Sequence, residues 1–249
     1  MKIKIWSFCS LISVVVCACS LSFAEDFEEG VAAYNKGEYT ATYQIFLKEA
    51  QKGNARAQYK VGFMYANGQG VIKDDKEAVK WYKVAAEKGL SAAQYNLGIM
   101  YEEGWGVAQD DQEAVKWYKV AAEKGLSAAQ YNLGVMFGNG HGVQQDDKKA
   151  VQWFRRAATQ GLAPAQYNLG LMYANGQGVE QDDKAAFKWF QLAAVQNDIK
   201  AKCSLAMMYA SGLGIAKDIL KAKQLAREGY EAGDEMCKMV WNKNPLENY

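Results

Sequence analysis

The sequence predicts an all-α fold, a solenoid of paired antiparallel helices, and three observations carry that prediction. A segment restarts every 36 residues, at Ala57-Gln58-Tyr59, Ala93-Gln94-Tyr95, Ala129-Gln130-Tyr131, Ala165-Gln166-Tyr167 and, more loosely, Ala201-Lys202-Cys203. Within a copy the apolar residues recur at spacings of three and four, the mark of a helix with one buried stripe. The 249 residues include 23 glycines and only 2 prolines, a balance that suits helices joined by regular turns. Five copies of one period without an insertion describe a supersecondary unit stacked on itself, because such a unit cannot bury its apolar face alone.

Residues 1–24 stand apart from this pattern. Lys2 and Lys4 precede an apolar stretch from Leu11 to Cys19, and Ser22-Phe23-Ala24 supplies the small residues that a signal peptidase accepts. This reads as a cleaved secretory signal, with a retained anchor or a lipid-anchored form through Cys19 as alternatives. Cleavage after Ala24 removes two lysines and no acid, taking the formal charge from +1 to −1. A chain so balanced has nothing to draw it to nucleic acid or anionic lipid. No integral membrane span is expected after cleavage. Residues 25–56 read as a shorter opening helix pair, acting as a cap, with Tyr34, Gly37, Phe46, Ala50 and Gly53 in place.

The copies are 57–92, 93–128, 129–164, 165–200 and a degenerate fifth at 201–236, followed by a capping tail at 237–249. In copy 93–128, Ala93, Leu97, Met100 and Tyr101 form the buried stripe of a first helix. Gly104-Trp105-Gly106-Val107 interrupts it, and Asp110-Asp111 opens a second helix whose free amides a carboxylate can cap. That helix runs from about Gln112 to Lys124 with Ala114, Trp117, Tyr118, Ala121 and Ala122 inside. It ends at Gly125, a slot held elsewhere by Gly53, Gly89, Gly161, Asn197 and Gly233, the two residue types that best tolerate a left-handed cap. Ser91 to Gln94 and Ser127 to Gln130 fit capping boxes, and Pro164 fits a first helical turn. Gly62, Gly98, Gly134 and Gly170 fall inside the first helix, where close approach of the second, through Ala78, Ala85 and their counterparts, explains so costly a residue. The tryptophans at 81, 117, 153 and 189 read as core.

Leu-Gly-x-x-Tyr in the first helix, Gly-x-Gly-Val and Asp-Asp in the turn, and Ala-x-x-x-aromatic in the second helix resemble Sel1-like repeats, relatives of the tetratricopeptide repeat. The resemblance covers residues 57–236 and implies a right-handed superhelix. It also implies an adaptor or scaffold in protein complexes, of the exported bacterial type. A cysteine-rich branch of the family is associated with binding or hydrolysing β-lactams, so a ligand-binding or hydrolytic envelope enzyme is the rival reading. That branch carries a cysteine pair in every repeat, and this chain does not. An inhibitor or immunity-type binding protein is the third reading.

Catalysis needs a constellation of groups, and the sequence offers none that is recognisable. The single histidine, His141, occupies a turn slot held elsewhere by Gln69, Trp105, Gln177 and Leu213. The pairs Asp74-Asp75, Asp110-Asp111, Asp146-Asp147 and Asp182-Asp183 lack the alternating ligands of a calcium loop and read as helix caps. No metal, cofactor or catalytic residue is expected. The expected partner is a protein or peptide, and a monomer is the expected state. Binding is placed on a second stripe of the first helix that varies between copies: Lys60, Phe63, Asn67; Asn96, Ile99, Glu103; Asn132, Val135, Asn139; Asn168, Leu171, Asn175; and Ser204, Met207, Ser211. Side by side these would line the concave wall of the solenoid with amides beside apolar groups, a surface suited to an extended peptide. The turn tips, Trp105 above all, are a second candidate surface. Cys203 and Cys237, the cysteines outside residues 1–24, form either a disulfide or two buried thiols.

Overall fold

A computed structural model describes residues 26–243, so the segment read as a secretory signal lies outside the described residues. Among them every regular element is a helix, in two compact units divided after Asp110. The first unit holds α1 (26–35), α2 (Tyr39–Gln51), α3 (Ala55–Asn67), α4 (Asp75–Glu87) and α5 (Ser91–Glu103). The second holds α6 (Asp111–Glu123), α7 (Ser127–Asn139), α8 (Asp147–Thr159), α9 (Ala163–Asn175), α10 (Asp183–Ala194), α11 (Ile199–Ser211), α12 (Ile219–Glu231) and α13 (Glu235–Lys243). Within each unit successive helices pack on one another, and α11 also packs on α13. The fold is the all-α solenoid of paired antiparallel helices. No helix among the described residues is long and apolar enough to cross a membrane.

Each helix pair closes on one aromatic ring. Tyr82, Tyr118, Phe154 and Phe190 are buried, whereas the neighbouring Trp81, Trp117, Trp153 and Trp189 are half-buried. The tryptophans thus flank the core and the second aromatic fills it, which corrects the sequence reading. The glycine inside the first helix makes room for that ring. A Cβ on Gly170 would lie 2.6 Å from the Phe190 ring, and one on Gly134 would lie 2.7 Å from Phe154. Close approach therefore explains these glycines, with an aromatic face at the contact instead of the small alanines.

The turn glycines set the register between copies. Gly178 has φ +67, and a Cβ there would lie 2.4 Å from the backbone carbonyl of Asp147, one copy earlier. Gly142 sits in the same way on Asp111, Gly214 on Asp183, and Gly106 on Asp75. A left-handed backbone and a contact too close for any side chain both demand glycine here.

The expected capping boxes do not form. The N-caps of α5 and α7 are Leu90 and Leu126, without a side-chain cap. The glutamines instead cross to the preceding helix, where Gln94 Nε2 donates to the Ala86 carbonyl at 2.9 Å and Gln130 Nε2 to Ala122 at 3.0 Å. Gln58 and Gln166 repeat the contact on Ala50 and Ala158. Each of these carbonyls, in the last turn of its helix, also accepts the backbone amide of the capping glycine, at 2.9–3.0 Å, so the buried glutamine amide takes up its second lone pair.

Cys203 of α11 and Cys237 of α13 are joined by a disulfide, with Cα atoms 4.9 Å apart and both residues fully buried. Gly229 of α12 lies against it, at a position where earlier copies carry Ala85, Ala121, Ala157 and Ala193. A Cβ on Gly229 would lie 2.3 Å from the Cys237 sulfur.

Two alanine substitutions separate these constraints. Gly170→Ala should overpack the Phe190 ring and cost about 1–3 kcal/mol. Gly178→Ala, which meets backbone as well as an unfavourable φ, should cost at least as much. Thermal denaturation of the two variants against the parent checks both, and a Gly178→Ala midpoint equal to the parent's would contradict the turn contact.

Candidate functional site

The variable stripe of the first helices lines consecutive clefts in the second unit. The first cleft, of about 340 Å³, is walled by Val135 and Asn139 of α7 and by Asn168 and Leu171 of α9. Its floor includes Tyr131 and Phe154, Asp147 opens its α8 side, and Gln177 of the following turn stands on its rim. The second, of about 250 Å³, shares Leu171 and adds Asn175, Asp183, Phe190, Ser204, Met207, Leu213 and Met236. A third of similar volume lies between α11 and α13, where Met207, Ser211, Met236 and Met239 face one another. Leu171 and then Met207 and Met236 join each cleft to the next.

This surface is an apolar row of Val135, Leu171 and Met207 beside an amide row of Asn139, Asn168 and Asn175. Methionine becomes frequent toward α13, where an unbranched, polarisable side chain can adapt to irregular shapes. Gln177 and Leu213 belong to the turn slot that the sequence places at loop tips. In this unit the turn residues and the helix face therefore meet in the same clefts, so two surfaces read separately in the sequence are one.

Asn96 and Ser204, each the first residue of its stripe, are tied into the fold. The Asn96 amide lies beside the Tyr59 and Tyr82 hydroxyls; burial pushes both phenols up, and the Asn96 contact opposes that shift. Ser204 is buried and makes the corresponding contact with Tyr167, whose phenol is likewise raised by burial. Asn132 is half-buried. Asn96 and Ser204 join one copy to the next, a role their helical position alone does not reveal. In the first unit, Lys60 Nζ lies 5.5 Å above the Tyr34 ring and Phe63 stacks near Tyr59. Asn67 is exposed and donates to its own Phe63 carbonyl at 2.8 Å. Ile99 is half-buried and Glu103 exposed. Trp105 is 51% exposed on its turn, and His141 is exposed on another.

The paired aspartates divide their work. The first of each pair is the N-cap: Asp74 Oδ1 accepts from the Lys76 and Glu77 amides, Asp146 Oδ1 from Lys149, and Asp182 Oδ1 from Ala185. The second is the first residue of the helix, and Asp147 and Asp183 each line a cleft.

The 36-residue frame, its turn glycines and its capping aspartates correspond to a known pattern. The Sel1 repeat matches five times, over residues 55–90, 91–126, 127–162, 163–198 and 199–234. The chain belongs to the Sel1 repeat family.

Two solved Sel1-type structures are similar over most of it. One is a protective antigen of uropathogenic Escherichia coli strains displaying an SLR fold, 35% identical with a TM-score of 0.85, covering 94% of this chain and 51% of that one. The other is a Sel1 repeat protein from Oxalobacter formigenes, 34% identical with a TM-score of 0.80, covering 87% and 86%. A shorter stretch of 55 residues is 38% identical to an ERAD-associated E3 ubiquitin-protein ligase component of Arabidopsis thaliana, covering 22% of this chain and 8% of that protein. This Sel1 repeat protein thus spans about half of the first relative and a small part of the last.

The N-cap role of the first aspartate makes a pH prediction. The backbone amide of Lys149, and then its ammonium, hold the Asp146 carboxyl below the ordinary 3.8. A folded pKa below the unfolded one contributes stability that is present above the unfolded value and is lost as pH falls through the folded value. Asp146→Asn, which can still cap, should leave stability near neutrality almost unchanged and flatten the acid limb of a stability–pH curve. Thermal melts from roughly pH 2 to 6 check this, spanning the ordinary carboxylate range.

Proposed function

We propose that this Sel1 repeat protein is an exported adaptor that holds an extended segment of a partner protein along the cleft-lined face of its second unit. The observation that carries the reading is that side chains which vary from copy to copy line a run of joined clefts, while those that repeat are buried beneath. A surface built this way presents one frame with different contacts at each step, which suits recognition of a side-chain sequence more than it suits one reaction centre. Leu171 and Met207 lie where neighbouring clefts meet and are the expected anchors, with Asn139 and Asn175 offering amides to a partner backbone. Export rests on the pattern of residues 1–24 and is supported by the disulfide, a bond that persists in oxidising compartments.

Retention of a partner from envelope extract should fall roughly tenfold in a Leu171→Ala, Asn175→Ala variant, the loss expected of a central apolar anchor. Trp105→Ala, which alters a turn of the first unit, should retain it. The reverse pattern would move the binding surface to the turn tips. Asn96 is unsuited to this test because its amide is committed to Tyr59 and Tyr82. For export, intact-mass measurement of the protein from fractionated cells should find an envelope form that begins at Glu25, and a cytoplasmic form retaining Met1 to Ala24 would contradict it.

A further inference from the structure

We infer that the clefts of the second unit take lysine or arginine side chains of an extended partner segment, with Asp147 and Asp183 as the receiving carboxylates. This rests on the binding role proposed above and gives the partner its chemistry. Both aspartates are half-buried, and each lines a cleft. Among the described residues neither has a hydrogen bond or an ion pair, because the aspartate before each already serves the helix amides. No residue lining either cleft is basic.

A second observation comes from the first unit. Asp75 holds the same place in its copy, and there Lys73 of the turn reaches it at 3.5 Å. At the matching turn position the later copies carry Gln109, Gln145 and Gln181. The protein thus fills the position with its own ammonium in one copy and leaves it without a cation at Asp147 and Asp183. The rest of each cleft fits a long basic side chain. Tyr131, Val135 and Leu171 in the first, and Met207 and Leu213 in the second, offer apolar surface to the methylene stem, while the charged head reaches the carboxylate. Since the clefts share Leu171, one segment crossing α9 reaches both.

The test uses fluorescence anisotropy with three pools of short labelled peptides of leucine and serine, one also containing lysine, one glutamate and one neither. The purified chain should bind the lysine pool roughly tenfold more tightly than the glutamate pool, and the preference should weaken with salt. An Asp147→Asn, Asp183→Asn variant should lose the preference. Asp147→Glu with Asp183→Glu should keep it, which separates charge from any change in folding. A lysine preference that survives in the asparagine variant overturns the inference. Equal binding of all pools, still abolished by Leu171→Ala, also overturns it and leaves the cleft-face reading standing. If no pool binds, with or without Leu171, both readings fall.

Discussion

The contact of a turn glycine with the backbone of the preceding copy is the constraint on which the other features depend. At Gly178 it places two separate demands on one residue, a positive φ and the absence of any atom where Asp147 presents its carbonyl. Moving the turn by a single residue would put a side chain into that carbonyl and would take glycine away from the left-handed position. This gives a physical reason for a period that never slips. The contact also joins the frame to the site, because the backbone of Asp147 supports the next turn while its side chain faces the cleft, and the residue beside Gly178, Gln177, is thereby brought to the rim.

Core and cleft are not separate layers in these repeats. Phe154 and Phe190 fill the space left by Gly134 and Gly170, and the same rings form part of the cleft floors. Met172 and Met208 are similarly shared. Close packing makes such shared residues transmit small changes, since an interior without voids cannot absorb a displaced ring locally. A substitution aimed at stability in this core therefore reshapes the surface, and the positions free to vary are those at the rim and along the outer stripe.

Much of this architecture was legible in the sequence, and what was not has a consistent cause. The period, the helix pairs and the caps follow from local rules, including Asn197, the only non-glycine residue with a positive φ among those described. Side-chain partners on neighbouring helices were not legible. Gln94 satisfies the local pattern of a capping box, yet its amide donates to the Ala86 carbonyl on the helix before it. Asn96 lies on the predicted stripe but turns to two phenols. Helical periodicity fixes the direction in which a residue leaves its axis; it does not fix the axial offset between two helices, which decides what that residue meets. The division of Asp146-Asp147 and of Asp182-Asp183 into a cap and a cleft residue is of the same kind. A turn position that changes from Lys73 to glutamine was the available sign of it, and its meaning depends on knowing that the turn and the helix start face each other.

The fifth copy departs from the repeat pattern as a set of mutually dependent changes. Cys203 replaces the tyrosine of the other copies, and Cys237 bridges to it from α13. That bridge occupies the volume of a methyl group on α12, so alanine gives way to Gly229. Lys202 replaces the glutamine and cannot accept a hydrogen bond; it meets Glu228 at 2.5 Å and the Asn197 side chain at 3.0 Å. Taken singly each change reads as loss of pattern, whereas together they exchange a hydrogen-bonded junction for a covalent one. Closing a loop of 34 residues is worth about 3–4 kcal/mol through the unfolded chain. Its effect falls on α13, the short last helix, whose Met236 and Met239 complete the clefts beyond Met207. A nine-residue helix is too short to hold its place by helical propensity alone. The disulfide is therefore what keeps the far wall of the candidate site in register with the repeats that form the rest of it.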